Sequence, residues 1–317
     1  MRGGLVTLGE ALGVVAATDP GPLAPGAAMR MDFAGAEATV AVGVRRLGHE
    51  SAWTGSLGAD AVGRMILERL RAERVDVSRC RIDPELSSGL MLRERRTADR
   101  TRVTYYRRGL AGSRLSVNEI DTAQIAAAGV LHITGITPAL SDSARAAVDL
   151  AVDIAAAAGV PISLDVNYRR ALWSPGRAAA ELTKLTSRAD ILFAGADEAA
   201  MLLRTGGSET LVSVAESLAA LGPSEVVLKL GAEGAVAWAD GVLLREEAVP
   251  VTVVDPVGAG DAFAAGYLAG LLDGGSVSER LRLASLCGAF AVSVPGDWAG
   301  LPYRDELGLL DGADVQR

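Results

Sequence analysis

Short runs of apolar residues alternate with longer stretches in which apolar residues recur at helical spacing, through most of this 317-residue chain. The spacing predicts helices at residues 40–47, 61–71, 143–158, 177–186 and 212–221. The short runs predict strands at residues 5–8, 52–55, 130–134, 162–166, 191–193 and 226–230. Strands that alternate with helices are typical of βαβ units, so we predict an α/β fold with a mostly parallel, doubly wound sheet between two layers of helices.

Two segments break this alternation. Residues 14–33 are rich in Gly, Pro and Ala, and residues 89–107 contain two strand-like runs on either side of the turn-like pair Ala98-Asp99. The second segment predicts a β-hairpin outside the main sheet. We expect one domain over residues 1–317, with a small β lid formed by about residues 11–36 and 87–112 inserted in it. Ligands of such sheets bind at the carboxyl ends of the strands.

Composition narrows the possible partners. The chain has 31 basic and 39 acidic residues, a formal charge of −8, which disfavours binding to nucleic acid or to an anionic membrane surface. No apolar stretch reaches the roughly 18 residues of a membrane span, and the first apolar run is typical of a strand rather than a secretory signal. We therefore expect a cytoplasmic protein. Cys80 and Cys287 are far apart in ordinary segments, and we assign both to packing.

The most informative segment is residues 253–269, "VVDPVGAGDAFAAGYLA", in which we predict that an apolar strand ends at Asp255-Pro256 and a glycine-rich turn opens a helix. Unpaired amides at a helix N-terminus bind anions, and Gly258 and Gly260 let the backbone approach a phosphoryl group closely. Asp261 would place a carboxylate where a base could accept a hydroxyl proton. The alternative is that Asp261 is only a favourable first-turn acid on a buried helix.

The string "DPVGAGDAFAAGYL" closely resembles the C-terminal signature of the ribokinase, or PfkB-type, carbohydrate kinases. Residues 34–47, "AGAEATVAVGVRRL", resemble the N-terminal signature, and residues 226–236, "VVLKLGAEGAV", resemble the nucleotide-side strand and glycine loop. The resemblance implies a ribokinase-like three-layer α/β/α fold with a small β lid. It also implies that Asp261 is the catalytic base and that the backbone of Gly258, Ala259 and Gly260 forms the anion hole.

Within that family the resemblance is closest to the 2-keto-3-deoxygluconate kinases, in residues 104–113, 131–140, 164–175 and 296–302. It implies that Tyr105, Arg107 and Arg169 hold a sugar acid, and guanidinium groups do bind carboxylates through paired hydrogen bonds. Without the motifs, both arginines could equally be solvated surface residues. Asp297 and the backbone near Ile136 would line the pocket, although Asp297 could instead be a turn former.

Three positions on the sugar side depart from the family pattern. Ala34 stands where the first glycine of a Gly-Gly pair is usual, before Gly35; Thr39 replaces an asparagine; and Met91 replaces a tyrosine of the keto-deoxy-gluconate kinases. The last two remove hydrogen-bonding capacity, so the exact substrate is less secure than the reaction. A neutral ketose or aldose kinase, such as a fructokinase or ribokinase, remains the alternative.

On the phosphate side, the family's Asn-x-x-Glu motif appears as Gly195-Ala196-Asp197-Glu198. Glu198 would help to organise Mg²⁺ through water, or would be an exposed first-turn glutamate. The resemblance implies ATP as cosubstrate, held by residues at matching positions: Gly195, Lys229, Gly231, Ala232, Gly234, Ala259, Gly260, Ser285 and Ala289. Lys229 alternatively is the polar end of a buried strand.

Other classes fit the sequence less well. No Gly-x-Gly-x-x-Gly follows an early strand, as a Rossmann dehydrogenase needs, and neither lysine, Lys184 or Lys229, follows a glycine as in a P-loop. His132 lies in a strand-like run, which favours a core histidine over a hydrolase base. A sugar-acid sensor that keeps the kinase fold without turnover is the rival from another class. We expect a homo-oligomer that pairs through the lid strands.

Overall fold

The strands and helices follow the predicted alternation closely. The structure is a computed structural model that describes residues 3–97, 100–206 and 209–310. Within these residues the strands are β1 (Leu5–Leu8), β2 (Leu12–Ala17), β3 (Met29–Ala34), β4 (Ser51–Thr54), β5 (Ser56–Gly58), β6 (Arg81–Asp83), β7 (Leu90–Arg95), β8 (Thr101–Tyr106), β9 (Val130–Thr134), β10 (Ile162–Asp165), β11 (Ile191–Gly195), β12 (Glu225–Lys229), β13 (Ala235–Ala239) and β14 (Val242–Glu246). The α-helices are α1 (Ala36–Arg46), α2 (Ala61–Ala72), α3 (Thr122–Ala126), α4 (Thr137–Leu140), α5 (Asp142–Ala158), α6 (Pro175–Thr186), α7 (Ala196–Leu203), α8 (Leu211–Ala219), α9 (Ala259–Leu272) and α10 (Val277–Val292).

The main sheet has the strand order β14-β13-β12-β11-β10-β9-β1-β4. The strands from β4 to β12 along this order pair in parallel, and β13 and β14 add antiparallel at the far edge. One apolar core lies between the sheet and α1, α2, α9 and α10, and a second lies between the other face and α5 to α8. This confirms the predicted three-layer α/β/α fold. Among the described helices, none combines the length and the hydropathy needed to cross a bilayer.

Local sequence signals explain where the helices begin and end. The side chain of Asp60 accepts a hydrogen bond from the backbone of Gly63 at the start of α2, and Ser141 does the same for Ala144 in α5. Gly159 ends α5 in the left-handed conformation that favours glycine. These caps define the ends of the helices. Because the central strands are parallel, their carboxyl ends lie on the same edge of the sheet.

A second sheet, with the order β3-β2-β7-β8, lies on the two segments that break the alternation in the sequence. We call it the lid sheet. Strands β7 and β8 pair antiparallel, with Met91 opposite Tyr105, as predicted for a hairpin. The turn that we predicted at Ala98-Asp99 lies outside the described residues. The assignment of the whole chain to one domain stays a prediction, as do the outer bounds of the lid.

The strand predicted before Asp255 is wrong. The chain between β14 and α9 has no strand, and Val253 and Val254 are 62% and 52% exposed. Strand β14 already occupies the edge of the main sheet. Pro250 and Pro256 also lack the amide hydrogen that a strand donates to its neighbour. The amide of Val254 instead donates to the carbonyl oxygen of Val292, the last residue of α10, at 2.7 Å.

Helix α9 is buried on nearly all sides after its first turn. Small residues allow it to pack closely on α10: a Cβ on Gly266 would lie only 2.8 Å from the Cα of Ala284. The helix therefore has a fixed place in the core, and its N-terminus faces the cleft beneath the lid sheet.

Candidate active site

A cleft of about 410 Å³ separates the lid sheet from the carboxyl ends of the main strands. It is lined by most of the residues that the sequence singled out on the sugar and phosphate sides: Ala34, Gly35, Met91, Tyr105, Arg107, Ile136, Arg169, Glu198, Lys229, Gly258, Gly260, Asp261 and Asp297. Residues to which the sequence analysis assigned no role also line it, among them Glu10, Glu37, Arg93 and Asn167. One cavity thus combines carboxylates, guanidinium groups, an ammonium group and a helix N-terminus.

Asp261 lies in the first turn of α9 and faces this cleft. Burial and, to a smaller extent, the negative charge of Asp165 raise the pKa of its carboxyl group to about 7, although the positive charges of Arg169 and Lys229 oppose the rise. The side chain of Asn167 donates a hydrogen bond to Oδ1 of Asp261 at 3.3 Å. Such a carboxyl group exchanges its proton near neutral pH, as a general base must.

The turn that precedes Asp261, residues 256–260, is held from two sides, and we call it the phosphate turn. Gly258 has a φ of +79°, and a Cβ there would collide with the backbone carbonyl of Asp297. The amide of Val257 donates to Oδ1 of Asp255 at 3.2 Å. The first amides of α9 have no acceptor within the helix, so this turn presents donors and a partial positive charge to the cleft.

Lys229 ends β12 and lies beside the phosphate turn, because a Cβ on Gly260 would be 3.4 Å from its Nζ. Its Nζ donates to Oδ2 of the buried Asp165 at 2.6 Å. Burial alone would lower the pKa of Lys229, but the charges of Asp165 and Glu198 outweigh that effect and raise it. The ammonium group is therefore charged at any working pH and available to an anion at the turn.

Arg107 is not a free cation, because its guanidinium group forms an ion pair with Glu10. Glu10 is almost fully buried, which raises the pKa of its carboxyl group to about 7, although Arg107 opposes the shift. The guanidinium group also lies 5.4 Å from the ring centre of Tyr105. Arg169, in contrast, is exposed, and its guanidinium group donates a hydrogen bond to the carbonyl oxygen of Tyr168 at 3.4 Å.

Two further acidic groups lie at the cleft. Glu37, in the first turn of α1, accepts hydrogen bonds of 2.6 Å from the hydroxyl groups of Thr134 and Thr137, and burial raises the pKa of its carboxyl group. Asp297 pairs with Arg93 at 3.1 Å; burial raises the pKa of Asp297 to about 6, although Arg93 opposes the rise. Asp297 is thus more than a turn former.

Glu198 is not the exposed glutamate of the alternative interpretation. Its oxygens accept the amides of Tyr168 and Gly195, each at 2.8 Å, and so cap the start of α7. Among the described residues, no group of three or more His, Cys, Asp or Glu side chains is arranged to hold a metal ion. Magnesium in nucleotide sites typically takes one or two carboxylates, phosphate oxygens and water, so Glu198 and Asp261 are donors of the right chemistry.

Thr39 is not among the residues that line the cleft, and its contact with a sugar stays a prediction. It is the fourth residue of α1 and has no exposed surface, and its Oγ1 has no hydrogen-bond partner among the described residues. The remaining predicted nucleotide residues lie beside the cleft rather than in its wall. Ala259 follows Gly258 in the turn, Gly195 ends β11, Gly231, Ala232 and Gly234 form the turn after β12, and the buried Ser285 and Ala289 lie on α10. Their contacts with a nucleotide stay predictions.

His132 is a core residue, as expected. It has no exposed surface, its Nδ1 lies 3.0 Å from the hydroxyl oxygen of Ser163, and burial lowers its pKa to about 4. Cys80 and Cys287 are free cysteines.

Comparisons with known proteins agree with the geometry. A family model described as pfkB family carbohydrate kinase matches residues 3–304. The chain is 37% identical to the 2-dehydro-3-deoxygluconokinase of Bacillus subtilis (strain 168), over 95% of this chain and 93% of that one. It is 38% identical to the 2-dehydro-3-deoxygluconokinase of Thermoproteus tenax, over 95% and 92%. A putative ribokinase II from E. coli, solved in complex with ATP and Mg²⁺, has a TM-score of 0.89 at 25% identity, with 98% and 99% of the two chains covered.

Proposed function

The chain belongs to the pfkB family of carbohydrate kinases, and from that premise we propose that it transfers the γ-phosphate of ATP to 2-keto-3-deoxygluconate, also called 2-dehydro-3-deoxygluconate. That it is a sugar kinase follows from the family. The sugar acid is our inference from the names of its relatives and from the chemistry of the cleft. Its product would be the 6-phosphate.

One observation carries this proposal: two guanidinium groups, Arg107 and Arg169, line the same cleft as Asp261, the half-buried carboxylate that we assign as the base. A sugar acid has a carboxylate at one end and a primary alcohol at the other. The guanidinium groups bind the carboxylate through charge-assisted hydrogen bonds, which places the alcohol toward the phosphate turn. A neutral sugar has no group that needs two such cations.

In the proposed reaction, Asp261 accepts the proton of the C6 hydroxyl group as that oxygen forms a bond to the γ-phosphorus. The bond between the γ-phosphorus and the oxygen bridging to the β-phosphate breaks, and ADP leaves with that oxygen. The amides of the phosphate turn and Lys229 stabilise the negative charge that spreads over the phosphoryl oxygens. Closure of the lid sheet excludes water, which would otherwise compete with the sugar.

Mg²⁺, when bound with ATP, supplies positive charge to the phosphate oxygens. Glu198 is placed to hold its water shell, since it lines the cleft and is fixed by two backbone amides. We propose that the nucleotide base lies along the turn after β12 and the adjoining surface of α10. There Gly231, Gly234 and Ala289 would leave room for its rings.

A neutral sugar is the second candidate, and specific contacts favour it. Glu10 already neutralises Arg107, and Met91 lies in an apolar cluster with Leu12, Val14 and Ala34 rather than offering a hydroxyl group to a substrate. A hydroxyl-rich neutral sugar would not disturb the pair of Arg107 and Glu10.

A panel of sugar acids and neutral sugars separates the candidates, with ADP release as the readout. The Arg107→Ala variant should raise KM for the acid substrate by roughly 100-fold, and for a neutral analogue by less than about threefold. Arg108→Ala is the matched control, because Arg108 is the exposed neighbour outside the cleft. Equal effects on both substrates would contradict carboxylate recognition, and sugar binding without any turnover would support a sensor.

We also propose that two copies of the chain associate through the lid sheet. Strand β8 is exposed along its whole length and presents Tyr105 and Tyr106 at 43% and 56% exposure. An exposed edge strand with large apolar groups is a ready site for pairing. Light scattering on the Tyr106→Lys variant should report a lower mass than the unmodified protein if this is correct, and an unchanged oligomer would place the contact elsewhere.

A further inference from the structure

Arg93 connects the lid sheet to both sides of the phosphate turn. Its side chain leaves β7 on the same face as Met91 and is only 9% exposed. One terminal nitrogen lies 2.8 Å from Oδ2 of Asp255, and the other lies 3.1 Å from Oδ2 of Asp297. These two carboxylates belong to segments more than 40 residues apart, one before α9 and one after α10.

Both aspartates in turn contact the phosphate turn, Asp255 through its carboxylate and Asp297 through its backbone carbonyl. Asp255 accepts the amide of Val257 through Oδ1, so its rotamer sets the entry into the turn. It also accepts the amide of Gly296 through Oδ2, which ties the two segments together. The backbone carbonyl of Asp297 packs against the Cα of Gly258, where no side chain fits. Movement of the Asp255 carboxylate or of the backbone at Asp297 therefore moves the amides of the phosphate turn.

A second lid strand also contacts the segment after α10. In β3, Asp32 accepts the indole N–H of Trp298 at 3.0 Å, and Arg30 donates to the carbonyl oxygen of Pro295 at 3.3 Å. Among the described residues, Arg93 is the lid side chain that donates hydrogen bonds to both Asp255 and Asp297. A planar guanidinium group with separate donors can bridge two carboxylates, which a single ammonium group does less well.

We propose that Arg93 is a positioning residue that couples the lid sheet to the phosphate turn, so that the turn reaches its working geometry only when the lid is in place. The inference rests on the phosphoryl transfer proposed above but not on the identity of the sugar. Met91 and Tyr105 line the sugar side of the cleft on the same pair of strands, so a sugar that orders those strands also orders the turn. Transfer to water without a sugar would then be disfavoured.

The test compares Arg93→Gln with the control Arg95→Gln. Arg95 lies on the same strand and the same face as Arg93, but its side chain is exposed. For Arg93→Gln we expect kcat to fall by about 10- to 100-fold, because a misplacement of about 1 Å has that effect on transfer. KM for the sugar should rise, while the dissociation constant for ATP without sugar changes less than about threefold. Amide hydrogen exchange should accelerate in residues 90–95, 101–106 and 255–260. Arg95→Gln should change none of these quantities.

Two more variants decide the matter if Arg93→Gln folds poorly. Arg93→Lys keeps one charge and should retain intermediate kcat, and Arg93→Ala should regain activity in millimolar guanidinium chloride, which cannot restore a merely unstable protein. An unchanged kcat in Arg93→Gln, a loss confined to sugar KM, or unchanged hydrogen exchange in the three segments would each overturn the proposal. So would Lys and Ala variants that lose activity only in step with their melting temperature, without rescue. If the unmodified protein turns over no sugar, the proposed function fails, while the hydrogen-exchange comparison still decides the coupling.

Discussion

Asparagine at position 261 should remove phosphoryl transfer and at the same time stabilise the protein. The amide has the size of the carboxyl group, so the first turn of α9 and the bond from Asn167 can persist. An amide cannot accept the proton of the sugar hydroxyl group, and we expect kcat to fall by roughly 100-fold or more. Sugar and ATP binding should remain, because Asp261 supplies neither the guanidinium groups nor the amides of the cleft.

The gain in stability follows from the raised pKa of Asp261. Its pKa rises from the ordinary 3.8 to about 7 on folding, and each unit corresponds to about 1.36 kcal/mol, so the charged form destabilises the fold by at most about 4 kcal/mol. The cleft admits water, which reduces the expected value to roughly 1–3 kcal/mol. A raised carboxyl pKa means that the folded state binds more protons between pH 4 and 7. Stability from this group is therefore lost as pH rises through that window.

The assay is urea unfolding of both proteins at pH 5 and pH 8. The advantage of Asp261→Asn should be larger at pH 8 by about 1–3 kcal/mol. Asp142→Asn, in the exposed first turn of α5, is the matched control and should show no such growth. An advantage that is absent at pH 8, or equal at both pH values, would refute the reasoning about burial.

The pH dependence of the unmodified enzyme gives an independent check. With a pKa of about 7, the reactive fraction of Asp261 rises from about one-tenth at pH 6 to about nine-tenths at pH 8, and kcat/KM should follow it. The residual activity of Asp261→Asn should not rise in this way between pH 6 and pH 8. A rise in kcat/KM that persists in the variant belongs to Glu10 or Asp297, whose pKa values are raised to about 7 and about 6.

Three other predictions follow from single contacts. Gly258→Ala should lower kcat by about 100-fold, because the new Cβ collides with the carbonyl of Asp297, whereas Gly274→Ala has a similar φ but open space and should leave kcat unchanged. Glu198→Gln should raise the Mg²⁺ concentration for half-maximal rate several-fold; an unchanged Mg²⁺ titration would limit Glu198 to capping α7. Thr39→Val should raise the free energy of unfolding by about 1 kcal/mol without changing sugar KM, since it removes a buried hydroxyl group that has no partner; a raised KM would return Thr39 to the site.

The sequence predicts the regular elements of this fold well because they depend on local patterns. Apolar runs and helical spacing place the six predicted strands within one or two residues of β1, β4, β9, β10, β11 and β12. The valine run before Asp255 has strand composition but forms no strand, and the sequence analysis did not predict β13 and β14. A strand in the valine run would need a free sheet edge to pair with. Local composition does not show that β14 occupies that edge.

The site was predictable where a motif marks it and not where partners meet across the fold. Asp261 and the phosphate turn lie in one string. Arg93 and Glu10 have no motif, and their importance comes from pairing with Asp255, Asp297 and Arg107 on distant segments. Thr39 lies on an almost fully buried helix, and helical position alone does not tell which face of such a helix meets a cleft.

The lid sheet carries sugar-side groups on strands that are separate in sequence from the helix that carries the base. Such modularity suggests how new substrate preferences could arise or be engineered: a hairpin exchanged between related enzymes would bring a different set of recognition groups to an unaltered transfer centre. A transplanted hairpin would still need an arginine at position 93, because Asp255 and Asp297 would otherwise lose the guanidinium group that bridges them. That requirement defines the smallest compatible graft.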